Sequence, residues 1–207
     1  LELVDLAAPE SPDPSQVQAW YPAVTEEELA RIASFVDSYC GSELAMRIAS
    51  LSGARPERPF AFEHDGVLLH GRLDVLHVAG TRALVLDYKT NSLAEGTPEE
   101  IVEADYRLQR LVYALACFRA GMDEVEVVYH FLERPDAVVS KTFARTDVPE
   151  LEPCMRSAGV APAAAASRAG FSNSGGTSCS SSGSVGWRSL GISGTRPFFP
   201  SSCSLRT

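Results

Sequence analysis

The stretch "LVLDYKTN", residues 84–91, begins as an apolar strand and ends in charged side chains. The run Leu84–Leu86 is typical of a buried strand, yet Asp87, Tyr88 and Lys89 follow it directly. Because residues two apart in a strand share a face, Asp87 and Lys89 point the same way and Tyr88 points the opposite way. Charged side chains are seldom buried without partners, so this strand end predicts a functional site.

The preceding strand brings a second carboxylate to the same place. The two-residue loop Gly80-Thr81 has glycine first, which is typical of a type II′ hairpin turn. Continuing the register of that hairpin places Asp74 directly opposite Asp87, on one face of the sheet. Two carboxylates about 5 Å apart repel by roughly 3 kcal/mol at an effective dielectric near 20. That repulsion exceeds the ~0.2–1 kcal/mol of a good cross-strand pair.

Something must therefore neutralise the two acids. Lys89 would do so in part, and a divalent cation would do so fully, with Mg²⁺ or Mn²⁺ favoured by oxygen ligands. Removing either carboxylate should then leave the stability of the metal-free protein unchanged or raised. The alternative is a solvated, inert surface cluster, since the D-x-K pattern by itself is common.

The pattern of apolar residues and turns predicts eight elements. A capping box at Thr25 and Glu28 starts the first helix, and Asp65-Gly66 marks a hairpin turn. Gln109 and Tyr113 are four apart on the third helix and therefore share a face, and Tyr106 is on the same face. The predicted segments are helices 25–39, 43–51 and 98–120, strands on both sides of the turn within 60–78, a strand at 82–90, and a hairpin of 125–134 with 137–145. The order α-α-β-β-β-α-β-β indicates an α/β domain with a mixed central sheet flanked by helices.

Composition divides the chain into residues 1–154 and residues 155–207. The second part holds 14 Ser and five Arg but no Asp, Glu or Lys, and it has no hydrophobic periodicity. It is predicted to be a disordered tail, or else an out-of-frame reading of GC-rich coding sequence. The first part holds all 27 acids against 13 of the 18 basic residues, a formal charge of −14. Such an acidic body argues against nucleic-acid binding, except where clustered carboxylates hold a metal.

The sequence also predicts a compartment. No apolar run approaches the roughly 20 residues that span a bilayer, so no membrane partner is expected. Residues 1–20 have no basic segment typical of a signal peptide. The five cysteines form no C-x-x-C pair, and their odd number argues against a disulfide framework. A reducing cytoplasm is therefore expected.

Several of these motifs together resemble a known family. "GRLDVLHVAGTRALVLDYKTN" at 71–91 and "QRLVY" at 109–113 resemble the PD-(D/E)XK nuclease superfamily. The resemblance is closest to the RecB/AddA-type nuclease domain that ends helicase-nucleases of the UvrD group, and it covers about residues 1–145. The stretch Glu57–Phe60 also resembles the E-x-P-F strand start of those domains. The resemblance implies a restriction-endonuclease-like fold.

The resemblance assigns roles to particular residues. It implies that Asp74, Asp87 and the backbone carbonyl of Tyr88 hold Mg²⁺ or Mn²⁺. Lys89 would orient or help deprotonate the attacking water and stabilise charge on the phosphate. The remaining two residues of the set, Gln109 and Tyr113, would support the site and the DNA strand.

The resemblance also implies a biological setting. It points to a Mg²⁺-dependent DNA exonuclease domain of an ATP-dependent helicase-nuclease that acts in double-strand break repair and recombination. The expected partners are DNA, chiefly single-stranded ends, the UvrD-type helicase domains, and a second helicase-nuclease subunit.

The chain departs from the family pattern in three respects. The family has a His or Glu in a G-x-x-x-H pattern just ahead of a segment like "LELVDL", which here is residues 1–6, so a fragment lacking that ligand is expected. No G-x-x-x-x-G-K-[ST] loop is present, and Cys154, Cys179 and Cys203 lack the spacing of an iron–sulfur site. Two alternatives therefore stay open, a catalytically inactive DNA-binding or scaffold module and a truncated fragment without function.

Overall fold

The fold is an α/β arrangement built around one mixed sheet. The computed structural model describes residue 1, residues 4–94 and residues 96–157. The helices are α1 (Pro14–Trp20), α2 (Glu26–Cys40), α3 (Glu43–Ala49), α4 (Pro98–Ile101), α5 (Arg107–Arg119) and α6 (Val148–Ser157). The strands are β1 (Arg55–His64), β2 (Val67–Ala79), β3 (Arg82–Lys89), β4 (Glu124–Phe131) and β5 (Val138–Ala144). A π-helical turn, Val102–Tyr106, joins α4 to α5, and a short 3₁₀ turn, Arg145–Asp147, precedes α6.

The five strands lie side by side in the order β1-β2-β3-β4-β5. The pairs β1–β2, β2–β3 and β4–β5 are antiparallel, whereas β3 and β4 are parallel. The parallel pair requires a crossover connection, and the segment from α4 to α5 provides it. The predicted mixed sheet with flanking helices is confirmed.

The sheet carries a hydrophobic core on each face. On one face α5 and α6 pack against the sheet through residues such as Val112, Leu115 and Met155. On the other face α2 and α3 pack through residues such as Tyr39 and Ile48. Burial of apolar area on both faces is the main stabilising term for such a sheet, at about 25 cal/mol per Å².

The predicted turns and caps determine the local structure. Thr25 accepts from the Glu28 amide while the Glu28 carboxylate accepts from the Thr25 amide, which completes the capping box at the start of α2. Gly80 has a φ of 63°, as the first position of a type II′ turn requires. The hairpin that it closes pairs Ala79 with Arg82. The β2–β3 register predicted from that turn is therefore confirmed up to Val75 and Leu86.

Three features differ from the predicted element order. Helix α1 was not expected, although Asp13 caps it and Pro14 occupies its first position. Helix α6 was also not expected, and it extends across the predicted boundary at residue 154. The third is the predicted helix 98–120, which the π-helical turn divides into α4 and α5.

Two predictions concern the remainder of the chain. The predicted tail, residues 155–207, lies outside the described residues from position 158 onward. Within the part that the structure describes, no helix has the length and apolar character needed to cross a membrane.

Candidate active site

Strand β3 places Asp87 and Lys89 on the face of the sheet that packs against α5. Both residues are buried, with 4 % of Asp87 and 6 % of Lys89 exposed. Lys89 Nζ lies 2.5 Å from Asp87 Oδ2, so acid and base form a buried ion pair. The polar end of the strand is thus enclosed within the fold, which argues against the solvated surface cluster.

Helix α5 completes a hydrogen-bonded network around this pair. Tyr113 Oη donates to Asp87 Oδ1 at 2.8 Å, and Gln109 Nε2 lies 3.2 Å from the same oxygen. Gln109 Oε1 in turn accepts from Lys89 Nζ at 2.8 Å. Because residues 109 and 113 are one helical turn apart, they reach the same carboxylate, as their spacing predicts. The structure therefore brings together four of the predicted site residues.

Two aromatic rings lie next to the Lys89 ammonium. Nζ lies 3.8 Å from the ring centroid of Tyr106 and 5.2 Å from that of Tyr129. Cation–π attraction of this kind strengthens when the ammonium is desolvated. The Tyr106 hydroxyl donates to Asn91 Oδ1 at 2.6 Å, which holds the ring in place.

Sequence reasoning placed Tyr106 on the correct helix face but did not assign it to the lysine. The contribution of Tyr129 was missed entirely, because no turn fixes the register between the parallel strands β3 and β4. In the structure Tyr129 is level with Asp87.

Asp74 lies beside this network rather than inside it. Its Oδ2 accepts a hydrogen bond of 2.9 Å from the Tyr88 amide. Burial raises the pKa of Asp74 from 3.8 to about 6, and the neighbouring charge of Asp87 adds to this effect. The amide of Tyr88 and the ammonium of Lys89 act in the opposite sense. Asp74 and Asp87 are therefore electrostatically coupled, although the regular β2–β3 ladder ends one position before them.

The pleat of the sheet changes at Asp74. Leu73 packs into the α5 core, whereas Val75 packs into the opposite core, although residues two apart in a regular strand share a face. On strand β1, Glu57 has a φ of 54°. Glu57 lies level with Asp74, between the register pairs of their sequence neighbours. The strict alternation assumed from the sequence fails here.

A cleft lies next to the change of pleat. Glu57, Asp74, Tyr88 and Thr90 are among the residues that line this cleft of about 300 Å³. The Glu57 carboxylate is held by Arg72 at 2.8 Å, and its charge also raises the pKa of Asp74. Sequence reasoning noted Glu57 only within the E-x-P-F stretch and gave it no role.

The residues present fit a divalent cation. Asp87 Oδ2 is buried and accepts no directional hydrogen bond, so its neutralisation rests on the ammonium of Lys89. The two coupled carboxylates share this one ammonium, and their hard oxygens are the ligand type that Mg²⁺ and Mn²⁺ prefer. Over the described ranges, no group of three or more His, Cys, Asp and Glu side chains is arranged as a metal site. A cation here would therefore depend on the two aspartates, a backbone carbonyl and water.

The comparison with family profiles identifies the class of protein. The profile described as the PD-(D/E)XK nuclease superfamily matches residues 1–181. The chain therefore belongs to the PD-(D/E)XK nuclease superfamily.

The chain was also compared with solved structures and with curated proteins. Among solved structures, the chain is similar to the one titled "Crystal structure of SSO0001". The sequence identity is 14 %, the TM-score is 0.35, and the match covers 76 % of each chain. The search of curated proteins gave no match.

Proposed function

We propose that this chain is a metal-dependent nuclease domain that hydrolyses phosphodiester bonds in DNA. The observation that carries the proposal is the buried Asp87–Lys89 pair, held by Gln109 and Tyr113 and coupled to Asp74. A buried acid–base pair beside a cleft is an expensive arrangement, and perturbed titratable groups of this kind concentrate at functional sites. Membership of a nuclease superfamily makes phosphodiester hydrolysis the reaction that this arrangement supports best.

The side chains divide the work of hydrolysis among them. Asp74, Asp87 and the carbonyl of Tyr88 would hold the cation. When bound, a divalent cation would lower the pKa of a water molecule and offset charge on the phosphate. The ammonium of Lys89 would donate a hydrogen bond to a phosphoryl oxygen as negative charge develops there. Gln109 and the Tyr106 ring would keep that ammonium in one position. The ammonium would then stay oriented toward the phosphoryl oxygen while water attacks the phosphate.

The finer setting follows from the sequence motifs. We infer a RecB/AddA-type exonuclease domain of a helicase-nuclease that uses Mg²⁺ and acts in the cytoplasm on DNA ends during double-strand break repair and recombination. The motifs G-x-x-D, D-Y-K-T-N and Q-x-x-x-Y, at 71–74, 87–91 and 109–113, support this inference. UvrD-type helicase domains and a second subunit would be the partners.

One observation favours a second candidate, a DNA-binding module without catalytic turnover. In the part of the chain that is described, no cluster contains three or more side chains of His, Cys, Asp or Glu that could hold a metal ion. Mg²⁺ requires near-ideal octahedral geometry, and a site with two carboxylates would leave it largely water-bound. Such a site would bind metal weakly, which favours a module without turnover.

A cleavage assay separates the two candidates. Single-stranded DNA labelled at one end is incubated with the chain in Mg²⁺, in Mn²⁺ and in EDTA. The nuclease proposal expects metal-dependent shortening that Asp74→Asn and Lys89→Ala abolish, while Asp136→Asn at an exposed loop position leaves it unchanged.

Calorimetry with Mn²⁺ adds a second readout. Lys89→Ala should still bind Mn²⁺, because an ammonium is not a metal ligand, whereas Asp74→Asn should not. Metal binding without any cleavage by the parent chain would favour the inactive module, and the absence of both would refute the metal site.

A further inference from the structure

An aromatic groove adjoins the candidate active site. It has a volume of about 790 Å³, and its lining includes Trp20, Tyr21, Arg31 and Phe35. Trp20 and Tyr21 are 59 % and 54 % exposed, although aromatic rings of this size usually bury most of their surface. Exposed rings gathered at one groove indicate a surface that binds something.

The groove is continuous with the cleft that contains Asp74. Ile32, Phe35 and Thr90 line both the groove and the cleft. Thr90 directly follows Lys89 at the end of β3. A chain-like ligand that lies in the groove would therefore lead to Asp74, the site carboxylate that lines the cleft.

Arg31 gives the groove one cationic side chain. The Arg31 guanidinium lies 5.3 Å from the ring centroid of Phe35. Among the described residues no carboxylate forms an ion pair with Arg31. The acid that lines the groove, Glu28, accepts hydrogen bonds from the amide and hydroxyl of Thr25, each at 2.9 Å, and keeps its negative charge. The groove thus presents aromatic rings with one cation and one carboxylate, within a strongly acidic body.

We propose that this groove binds single-stranded DNA by stacking unpaired bases on Trp20 and Tyr21, with Arg31 beside the backbone. The proposal rests on the nuclease function proposed above and specifies its substrate as a strand with unpaired bases. Base–aromatic stacking does not depend on sequence and is the usual means by which proteins bind single strands without sequence preference. Bases in a duplex are stacked on each other and are not available to the two rings, so duplex DNA should not use the groove.

Tryptophan fluorescence tests the groove independently of catalysis. Trp20 and Trp187 are the two tryptophans of the chain, so Trp187→Phe leaves Trp20 as the single reporter. An oligothymidylate is titrated into this variant in EDTA, which prevents metal-dependent cleavage. The expected result is quenching by the oligothymidylate, with little quenching by an abasic oligonucleotide of equal length or by a blunt duplex.

Variants extend the test to affinity and turnover. Trp20→Ala should weaken oligothymidylate binding about tenfold, measured by fluorescence anisotropy of a labelled oligonucleotide, while Trp20→Phe should stay within about twofold of the parent. In DNA cleavage with Mg²⁺, Trp20→Ala should raise KM and leave kcat unchanged, because stacking stabilises the bound strand equally in the ground state and in the transition state. Met46→Ala is the matched control, since Met46 is 71 % exposed and lies on α3, outside the groove.

The outcomes separate this proposal from the proposed function. Absence of Trp20 quenching, or equal quenching by the abasic oligonucleotide, overturns the groove even if the chain cleaves DNA. Quenching without any cleavage in Mg²⁺ refutes the nuclease activity and supports the groove. Sedimentation that shows a dimer abolished by Trp20→Ala would overturn the proposal in favour of a protein-binding surface.

Discussion

Asp74 and Asp87 have similar positions at the ends of neighbouring strands, but their surroundings differ. Asp87 is compensated by an ammonium and by the Tyr113 hydroxyl. Asp74 has one amide donor, and its pKa is raised to about 6. From the sequence, neutralising either acid is expected to spare stability. These surroundings lead us to expect the same for Asp74 and the opposite for Asp87.

The first prediction concerns Asp74→Asn without metal. Because the folded-state pKa of Asp74 lies above its ordinary value of 3.8, its stabilising contribution is complete below that value and is lost as pH rises through about 6. The shift corresponds to about 3 kcal/mol, and we expect about 2 because Asp74 keeps some contact with solvent. Asn retains the acceptor for the Tyr88 amide, so the variant should be more stable at pH 8.

Urea denaturation in EDTA at several pH values measures this difference. The advantage of Asp74→Asn over the parent should fall as the pH drops below 6 and should vanish near pH 4. The control is Asp136→Asn, at an exposed position between β4 and β5. A variant less stable than the parent at pH 8 would contradict the burial argument.

The second prediction concerns Asp87→Asn, which should destabilise the protein by about 3 kcal/mol. The change leaves the Lys89 ammonium buried without a counterion, and breaking one side of a buried pair is costly. Adding Lys89→Met removes the stranded charge and should recover part of the loss. A double-mutant cycle by urea denaturation measures the coupling, and additive effects of the two changes would show that the pair is not a unit.

At the scale of elements, the π-helical turn determines how α5 meets the site. It ends at Tyr106, whose ring covers Lys89, while Gln109 and Tyr113 follow on the same face. Helices contain π-helical turns rarely, and these often lie at functional sites. The turn therefore lies where the crossover helix meets the end of β3.

The third prediction tests the role of Tyr106, the last residue of this turn. Tyr106→Leu removes the aromatic ring over Lys89 and should lower kcat about tenfold, with KM little changed, since the ring acts only through the position of the ammonium. Tyr106→Phe keeps the ring and loses only the hydrogen bond to Asn91, so it should restore most of the rate. Steady-state cleavage of single-stranded DNA in Mg²⁺ provides the measurement, and equal rates for the two variants would exclude the cation–π role.

The elements show what the sequence determines and what it does not. The Gly80 turn fixes the β2–β3 register because a two-residue loop allows only one pairing. Regular 2.0 and 3.6 periodicities likewise locate β3 and the face of α5. The pleat change at Glu57 and Asp74 and the π-helical turn are departures from those periodicities, so no periodic pattern reveals them. The position of Tyr129 depends on a parallel register that long-range packing sets.

At the scale of the whole molecule, the net charge opposes binding of the proposed DNA substrate, because residues 1–154 carry a formal charge of −14. The ammonium of Lys89 is buried in its ion pair, and Arg31 is the cation that lines the aromatic groove. In the proposed groove, single-strand affinity should therefore come mainly from stacking, which salt affects little, rather than from release of counterions.

The last prediction is a shallow salt dependence of single-strand binding. Each neutralised phosphate contributes about −0.7 to the slope of log K against log salt, so one or two contacts give roughly −0.7 to −1.4. Anisotropy titrations of a labelled oligothymidylate between 50 and 200 mM salt, in EDTA, measure the slope. The five Arg of residues 155–207 provide the comparison, because a chain ending at Ser157 keeps just one of them. A slope steeper than about −3 that becomes shallow after this truncation would show that those arginines, rather than the groove, hold the strand.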